Sequence, residues 1–178
     1  MRGRVTTPSE AERAAALGFL RPEKYGHMER ERRWLCERLP QTLIPTRVYD
    51  IIDRYIDGSR MRLRWMRGHG VPDERKLTKK ADLAADTRII TTIYLDAEEF
   101  ALLQALPARI VHKRRHYYEG APEIAVDVFG GIHAGLVMAE VEFADADLMR
   151  DYTPPAWVGR EVTQDNAYGG GMLAGATS

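Results

Sequence analysis

The residues of this chain that could do chemistry are charged, and they recur two apart. Glu29, Glu31 and Arg33 form one such set, Arg62 and Arg64 a second, and Lys113 and Arg115 a third. Glu123 and Asp127 alternate with Ile124, Val126 and Val128, and Glu140 and Glu142 with Ala139, Val141 and Phe143. In an extended strand, residues two apart share a face. Each segment therefore sets charge on one face, and at least three of them carry clean hydrophobe on the other. The ordinary interpretation is a solvated outer face on an antiparallel sheet. The signs, however, are segregated: acidic strands toward either end of the chain, basic strands between. Like charges at two-residue spacing repel, and they make better sense around a ligand that balances them. Carboxylates on facing strands offer the hard oxygen ligands that Mg²⁺ and Mn²⁺ prefer. Arg and Lys supply charge-assisted, often bidentate, bonds to phosphate. Acid and base around one cavity fit a metal-bound polyphosphate.

The elements that must position these residues are mostly short strands. Period-two alternation predicts strands at His27 to Leu35, Arg47 to Ile56, Arg60 to Met66, Lys76 to Lys80, Arg88 to Leu95, Ala108 to Tyr118, Glu123 to Phe129 and Leu136 to Phe143. Asp57-Gly58-Ser59, Glu119-Gly120 and Gly130-Gly131 are the turns. Helices are predicted over Asp96 to Leu106, with Asp96 as N-cap and Glu99 three residues on, and over Asp145 to Tyr152. A further helix capped by Ser9, over Pro8 to Leu20, belongs to residues 1–25, an extension before the main domain at 26–178. The tail from Gly159 to Ser178 is read as one polar segment with a Gly-rich, partly mobile end.

The chain has 178 residues, enough for a single domain with a sizeable core. Its 26 Lys and Arg balance 26 Asp and Glu, which argues against a generally basic nucleic-acid binder. Cys36 is the single cysteine, so neither an intramolecular disulfide framework nor a Cys-based zinc site can form. No apolar run approaches the roughly 20 residues that span a bilayer. The expected setting is cytoplasmic, with no nucleic-acid or membrane partner, and a homodimer stays open as an assembly state.

These residues resemble the CYTH superfamily, the triphosphate tunnel metalloenzymes. Glu29-Arg30-Glu31-Arg32-Arg33 is similar to its ExExK signature. Tyr55 with Arg62-Leu63-Arg64 looks like its second motif, Leu77-Thr78-Lys79-Lys80 like its LTxK strand, and Lys113-Arg114-Arg115 like its K-x-R strand. Glu123 through Phe129 resembles the VDxF segment, Glu140 through Phe143 the ExEF strand, and Gly159 through Thr163 with Tyr168, Leu173 and Ala174 the closing motif. The resemblance runs in order from about Met28 to Ala174. It implies an α+β fold: an eight-stranded antiparallel β-barrel, open as a tunnel, with a charged interior and flanking helices. It further implies Mg²⁺- or Mn²⁺-dependent action on inorganic tripolyphosphate, thiamine triphosphate or a nucleoside triphosphate. By motif position Glu29, Glu31 and Arg33 would be catalytic, with Glu29, Glu31, Glu140 and Glu142 as metal ligands. Arg62, Arg64, Lys80, Arg88, Lys113 and Arg115 would bind phosphate.

Two departures from the motifs stand out. The lysine of ExExK is Arg33, and the family's R-x-E-x-E strand reads Arg88-Ile89-Ile90-Thr91-Thr92, which keeps the arginine and lacks both acids. The leading reading is a metal-dependent triphosphate hydrolase. A non-catalytic polyphosphate- or nucleotide-binding module is the alternative that Ile90 and Thr92 motivate, and an adenylate cyclase is a third. Elsewhere, Trp34, Trp65 and Trp157 are expected in the core or barrel wall, and Cys36 in packing. His112 and His116 are placed opposite the Lys113 face, and Asp50 and Asp53 are read as solvated. Gly169-Gly170-Gly171 lacks both the Lys-Ser/Thr of a phosphate loop and a helix pattern.

Overall fold

The computed structural model describes residues 8–175. The first seven residues of the extension and residues 176–178 of the tail, about which the sequence reading also spoke, lie outside the described residues. Eight antiparallel strands close on themselves: β1 (His27–Leu35), β2 (Arg47–Ile56), β3 (Met61–Gly68), β4 (Glu74–Asp82), β5 (Thr87–Tyr94), β6 (Ala108–Tyr118), β7 (Ile124–Phe129) and β8 (Val137–Phe143). Their order around the barrel is β1-β5-β4-β3-β2-β6-β7-β8. Two meanders, β2 to β5 and β6 to β8, thus join along the β2–β6 seam, and β1 fills the gap between β5 and β8. Closure leaves no unpaired edge.

Because side chains alternate across each strand, one row faces the lumen and the next faces out, where helices cover it. Among the described residues there are five α-helices. α1 (Glu10–Ala16) starts in the capping box of Ser9 and Glu12, and α2 (Pro22–Tyr25) is a single turn. Around α1, Ala14 and Phe19 bury against Ala81 of β4 and Ile89 of β5. α3 (Ala97–Leu103), capped by Asp96 and Glu99, lays Phe100 on Leu63 and Ile56. α4 (Ala146–Asp151) and Tyr152 cover the outer row of β1, β7 and β8, where Trp34, Val126, Ala139, Val141 and Phe143 are buried. Trp65 packs on Phe100 and Trp157 on Tyr118, and Cys36 lies half-buried beside the Trp34 cluster, all as read from the sequence. α1 and α3 are shorter than expected: propensity extends beyond the turns that actually pack.

α5 (Gly170–Gly175) corrects the reading of the tail. The glycine run has poor helix propensity, yet it opens a helix because Leu173 and Ala174 bury against Val111, Phe129 and Met138 at one end of the barrel. Glycine also admits a close approach. A Cβ built at Gly170 would overlap the Tyr55 hydroxyl and lie 3.1 Å from its ring carbon Cζ. Gly170→Ala should therefore cost about 1–3 kcal/mol by overpacking, measured by urea unfolding. Adding Tyr55→Phe, which deletes the obstructing oxygen, should recover most of it. If the single substitution is neutral, α5 is not seated on Tyr55 as described.

Candidate active site

The inward rows enclose a cavity of about 1040 Å³ lined mainly by charge. Its basis is local. The Asp57-Gly58-Ser59 turn fixes the β2–β3 register so that Tyr55 lies across from Arg62 and Asp53 from Arg64. The same alternation sends Leu63 outward into the core at 0% exposure. On the β1–β8 ladder, Glu31 faces Glu142 and Arg33 faces Glu140, while on β6–β7 Arg115 faces Asp127. Arg62, Arg64, Lys80, Arg88, Lys113, Arg115 and the four glutamates all line the cavity, as does Arg33. Ile90 and Thr92 line it too, at the inward positions of β5.

Three ion-pair groups run through the lumen. In the first, Lys80 Nζ donates to Glu29 Oε2 at 2.8 Å and Oε1 at 3.1 Å, and Arg88 Nη1 donates to Glu31 Oε1 at 2.7 Å and Glu29 Oε2 at 3.3 Å. In the second, Arg64 grips Asp53 in a two-pronged pair at 2.6 and 2.7 Å, with Arg62 Nε 3.6 Å away. In the third, Arg115 grips Asp127 at 2.7 and 2.6 Å, Lys113 Nζ donates to the same carboxylate at 2.6 Å, and Arg115 also reaches Glu140. The Arg33 guanidinium is tied to the closing segment, donating to the carbonyls of Tyr168 at 2.9 Å and Thr163 at 3.2 Å. Arg62 Nε is buried with no hydrogen-bond partner.

The field of these groups sets the protonation. Burial alone would raise Glu29, but Lys80 and Arg88 hold it down at about 2. Glu140 is likewise held low against burial, by Arg115 and Lys113. Glu142 moves the other way: desolvation and then the negative charge of Glu29 push it up, with His27 Nε2 3.5 Å away as its nearest counter-charge. Of these three acids, Glu142 is the one raised. Burial and the neighbouring Arg62 pull Lys80 down to about 8, while burial and Asp53 push Tyr55 up to about 12. Among the described residues, no three His, Cys, Asp or Glu side chains converge in an arrangement that could hold a metal ion. The β1 carboxylates are turned instead toward Lys80 and Arg88.

One sequence reading is overturned. Asp53, taken as solvated, is 1% exposed and anchors the second ion-pair group. The signal was available: a tight turn at 57–59 places residue 53 opposite residue 64, and an acid facing an arginine two strands into a barrel is not a surface residue. Asp50 does lie outside, paired with Arg114 and His69. His112 is exposed on the outer face as expected, and Glu123 stands at the rim, bonded to Arg47 at 2.7 Å.

No family model matches the chain. The inorganic triphosphatase of Nitrosomonas europaea is 37% identical over 86 residues, 46% of this chain and 56% of that protein. The match thus spans about half the length of that relative. Among solved structures, the inorganic triphosphatase NE1496 superposes with a TM-score of 0.57 at 27% identity, covering 84% of this chain and 95% of that one. The chain is thus similar in fold, and over part of its sequence, to the CYTH, or triphosphate tunnel, family. PH1819 from Pyrococcus horikoshii OT3, at 22% identity, a TM-score of 0.53 and 69% and 82% coverage, shares the fold. The charged lumen lies inside the closed eight-stranded barrel.

Asp53 is the most exacting of the lumen acids. Burial alone would raise it, but Arg64 and Arg62 hold it well below the ordinary carboxylate range. Its contribution to stability is therefore complete above about pH 4 and is lost as the pH falls through that range and below. Asp53→Ala strands the buried Arg64 charge and should cost about 3–5 kcal/mol at pH 7, measured by urea unfolding. A cost below about 1 kcal/mol would mean that Arg64 finds water or another partner.

Proposed function

We propose that the protein is a metal-dependent hydrolase of a linear triphosphate, held in the barrel lumen. The observation that carries this reading is the composition of the lumen: basic side chains outnumber acids around one cavity, and the buried Arg62 Nε has no hydrogen-bond partner. An oligoanion satisfies both. The relative named an inorganic triphosphatase supports the same chemistry.

The donors are of the oxygen type a hard divalent cation takes, and they would converge on one only once Glu29 and Glu31 are released from Lys80 and Arg88. Glu31 and Glu142 are direct cross-strand neighbours with Glu29 two residues along, and Glu142 is raised in part by the charge of Glu29, as unneutralised carboxylates are. Glu29, Glu31 and Glu142 would hold Mg²⁺ or Mn²⁺, with Glu140 further along β8. When bound, the cation polarises phosphoryl oxygens and offsets developing negative charge.

The chain's own residues do the rest. Lys80 and Arg88 are occupied by Glu29 and Glu31, so a polyphosphate entering the lumen competes for those cations and releases the carboxylates. Arg62, Lys113 and Arg115 bind phosphoryl oxygens by charge-assisted bonds and neutralise the leaving oxygen as its bond to phosphorus breaks. Water attacks that phosphorus, and the products are orthophosphate and the shortened phosphate chain. The buried Arg33 positions rather than contacts: its bonds to Thr163 and Tyr168 fix the closing segment against β1.

The decisive experiment is phosphate release from tripolyphosphate, thiamine triphosphate and ATP with Mg²⁺ or Mn²⁺, alongside calorimetric binding. Turnover of at least one substrate, absent without metal, is expected. Tight binding without phosphate release would favour the module reading that Ile90 and Thr92 motivate. Arg62→Ala and Lys113→Ala should each weaken triphosphate binding by about 1.5–3 kcal/mol. Glu29→Gln and Glu31→Gln should abolish metal-dependent turnover with the fold intact, and outward-facing His112→Ala should do neither. Loss of turnover in His112→Ala with retention in both glutamine variants would overturn the assignment.

A further inference from the structure

Arg88 is held by three carboxylates, two on β1 and one on β4. Its Nη1 donates to Glu31 and Glu29, and its Nε donates to Asp82 Oδ1 at 3.1 Å. Asp82 ends the inward row of β4: Lys76, Thr78, Lys80 and Asp82 all border the cavity. Register sets Asp82 across from Arg88 and Arg88 across from Glu29, so the three form one row over β4, β5 and β1. The turn that follows Asp82 is fixed from two sides. The amides of Leu83 and Ala84 each donate to the Thr87 carbonyl at 2.9 Å, and Arg13 donates to the Leu83 carbonyl at 3.1 Å. The remaining nitrogen of Arg88, Nη2, has no hydrogen-bond partner among the described residues.

The two glutamates cannot stay on Arg88 through the reaction proposed for this cavity, because Glu29 and Glu31 must turn to the cation. A guanidinium freed of every anchor regains the rotamer freedom of a long side chain, which an incoming phosphate must then remove again. One gripped at Nε keeps its plane, with Nη1 and Nη2 left for a two-pronged bond to phosphoryl oxygens. We infer that Asp82 is a positioning residue: it keeps Arg88 aimed into the lumen while Glu29 and Glu31 leave it. The side chain of Asp82 is 77% exposed against 14% for Arg88, and so exposed a pair adds little to folding stability. Its effect falls on ligand binding. The inference rests on the polyphosphate reading of the same cavity and adds to it a residue that acts only through Arg88.

Charge alone predicts the opposite sign: deleting an acid beside an anion site strengthens binding by removing repulsion. Calorimetric titration of the full chain in Mg²⁺ with tripolyphosphate, thiamine triphosphate and ATP separates the two. Asp82→Ala should weaken the tightest of the three by about tenfold, the effect of one lost charge-assisted anchor. Asp82→Asn keeps an oxygen acceptor for Nε without the charge, and should restore affinity to within about threefold of the natural chain. In an Arg88→Ala background, adding Asp82→Ala should change affinity by less than about twofold, since its whole effect runs through Arg88. Asp82 is exposed, so these variants should fold, and an unchanged melting temperature checks this. Unchanged or tighter binding by Asp82→Ala overturns the inference and leaves the polyphosphate reading standing. So does an equal tenfold loss in the Arg88→Ala background, which would mean that Asp82 acts on ligand or cation directly. If the natural chain binds none of the three, the polyphosphate reading fails and the inference falls with it.

Discussion

The structure depends on one constraint: charges buried inside a closed barrel must be matched by neighbours on other strands. A buried carboxylate left alone costs several kcal/mol, and a pair recovers that only with close geometry and further hydrogen bonds. Each deep acid meets that condition. Asp53 has Arg64 and Arg62, Asp127 has Arg115 and Lys113, and Glu29 has Lys80 and Arg88. Register decides all of these partners, so the barrel's hydrogen-bond ladder and its electrostatics are one problem with one solution. The same matching sets the state of the lumen's basic groups. Its cations are already desolvated and already oriented.

The outer layers serve that lumen from behind. Arg13 donates to the Leu83 carbonyl, Lys79 to that of Gly18 and Arg60 to that of Leu17, tying the segment around α1 to the β4–β5 loop and the β2–β3 turn. Leu83 and Arg60 both border the cavity. The segment around α1 is thus a brace for one rim of the cavity. α3 and α4 do comparable work on the other walls, through Phe100 and Tyr152.

Much of this was legible in the sequence because alternation is local. Arg62, Leu63 and Arg64 declare their faces without reference to any other strand, and the capping boxes at Ser9 and Asp96 declare where helices begin. What alternation cannot show is which strand lies alongside. Signs segregated along the chain, acidic at the ends and basic between, are interleaved in space because β1 lies beside β5 and β7 beside β6. Asp53 was misplaced because its strand was read alone, without the hairpin register that sets it opposite Arg64. α5 was missed for a related reason, since its helix follows from Leu173 and Ala174 meeting the barrel end and not from the glycines that start it.

The position of β1 has a consequence for how the molecule comes into being. β2 to β5 and β6 to β8 are runs of adjacent hairpins that can assemble from near neighbours in the chain. β1 cannot: its partners are β5 and β8, some 60 and 110 residues downstream by the pairings Glu29–Arg88 and Glu31–Glu142. Such distant contacts reward the chain only after loop-closure entropy has been overcome, which slows folding. Since β1 also bears Glu29, Glu31 and Arg33, the lumen gains these groups only as the barrel shuts. A half-assembled chain, however collapsed, presents Lys80 and Arg88 without Glu29 and Glu31. Insertion of this strand is therefore the event at which shape and competence arrive together.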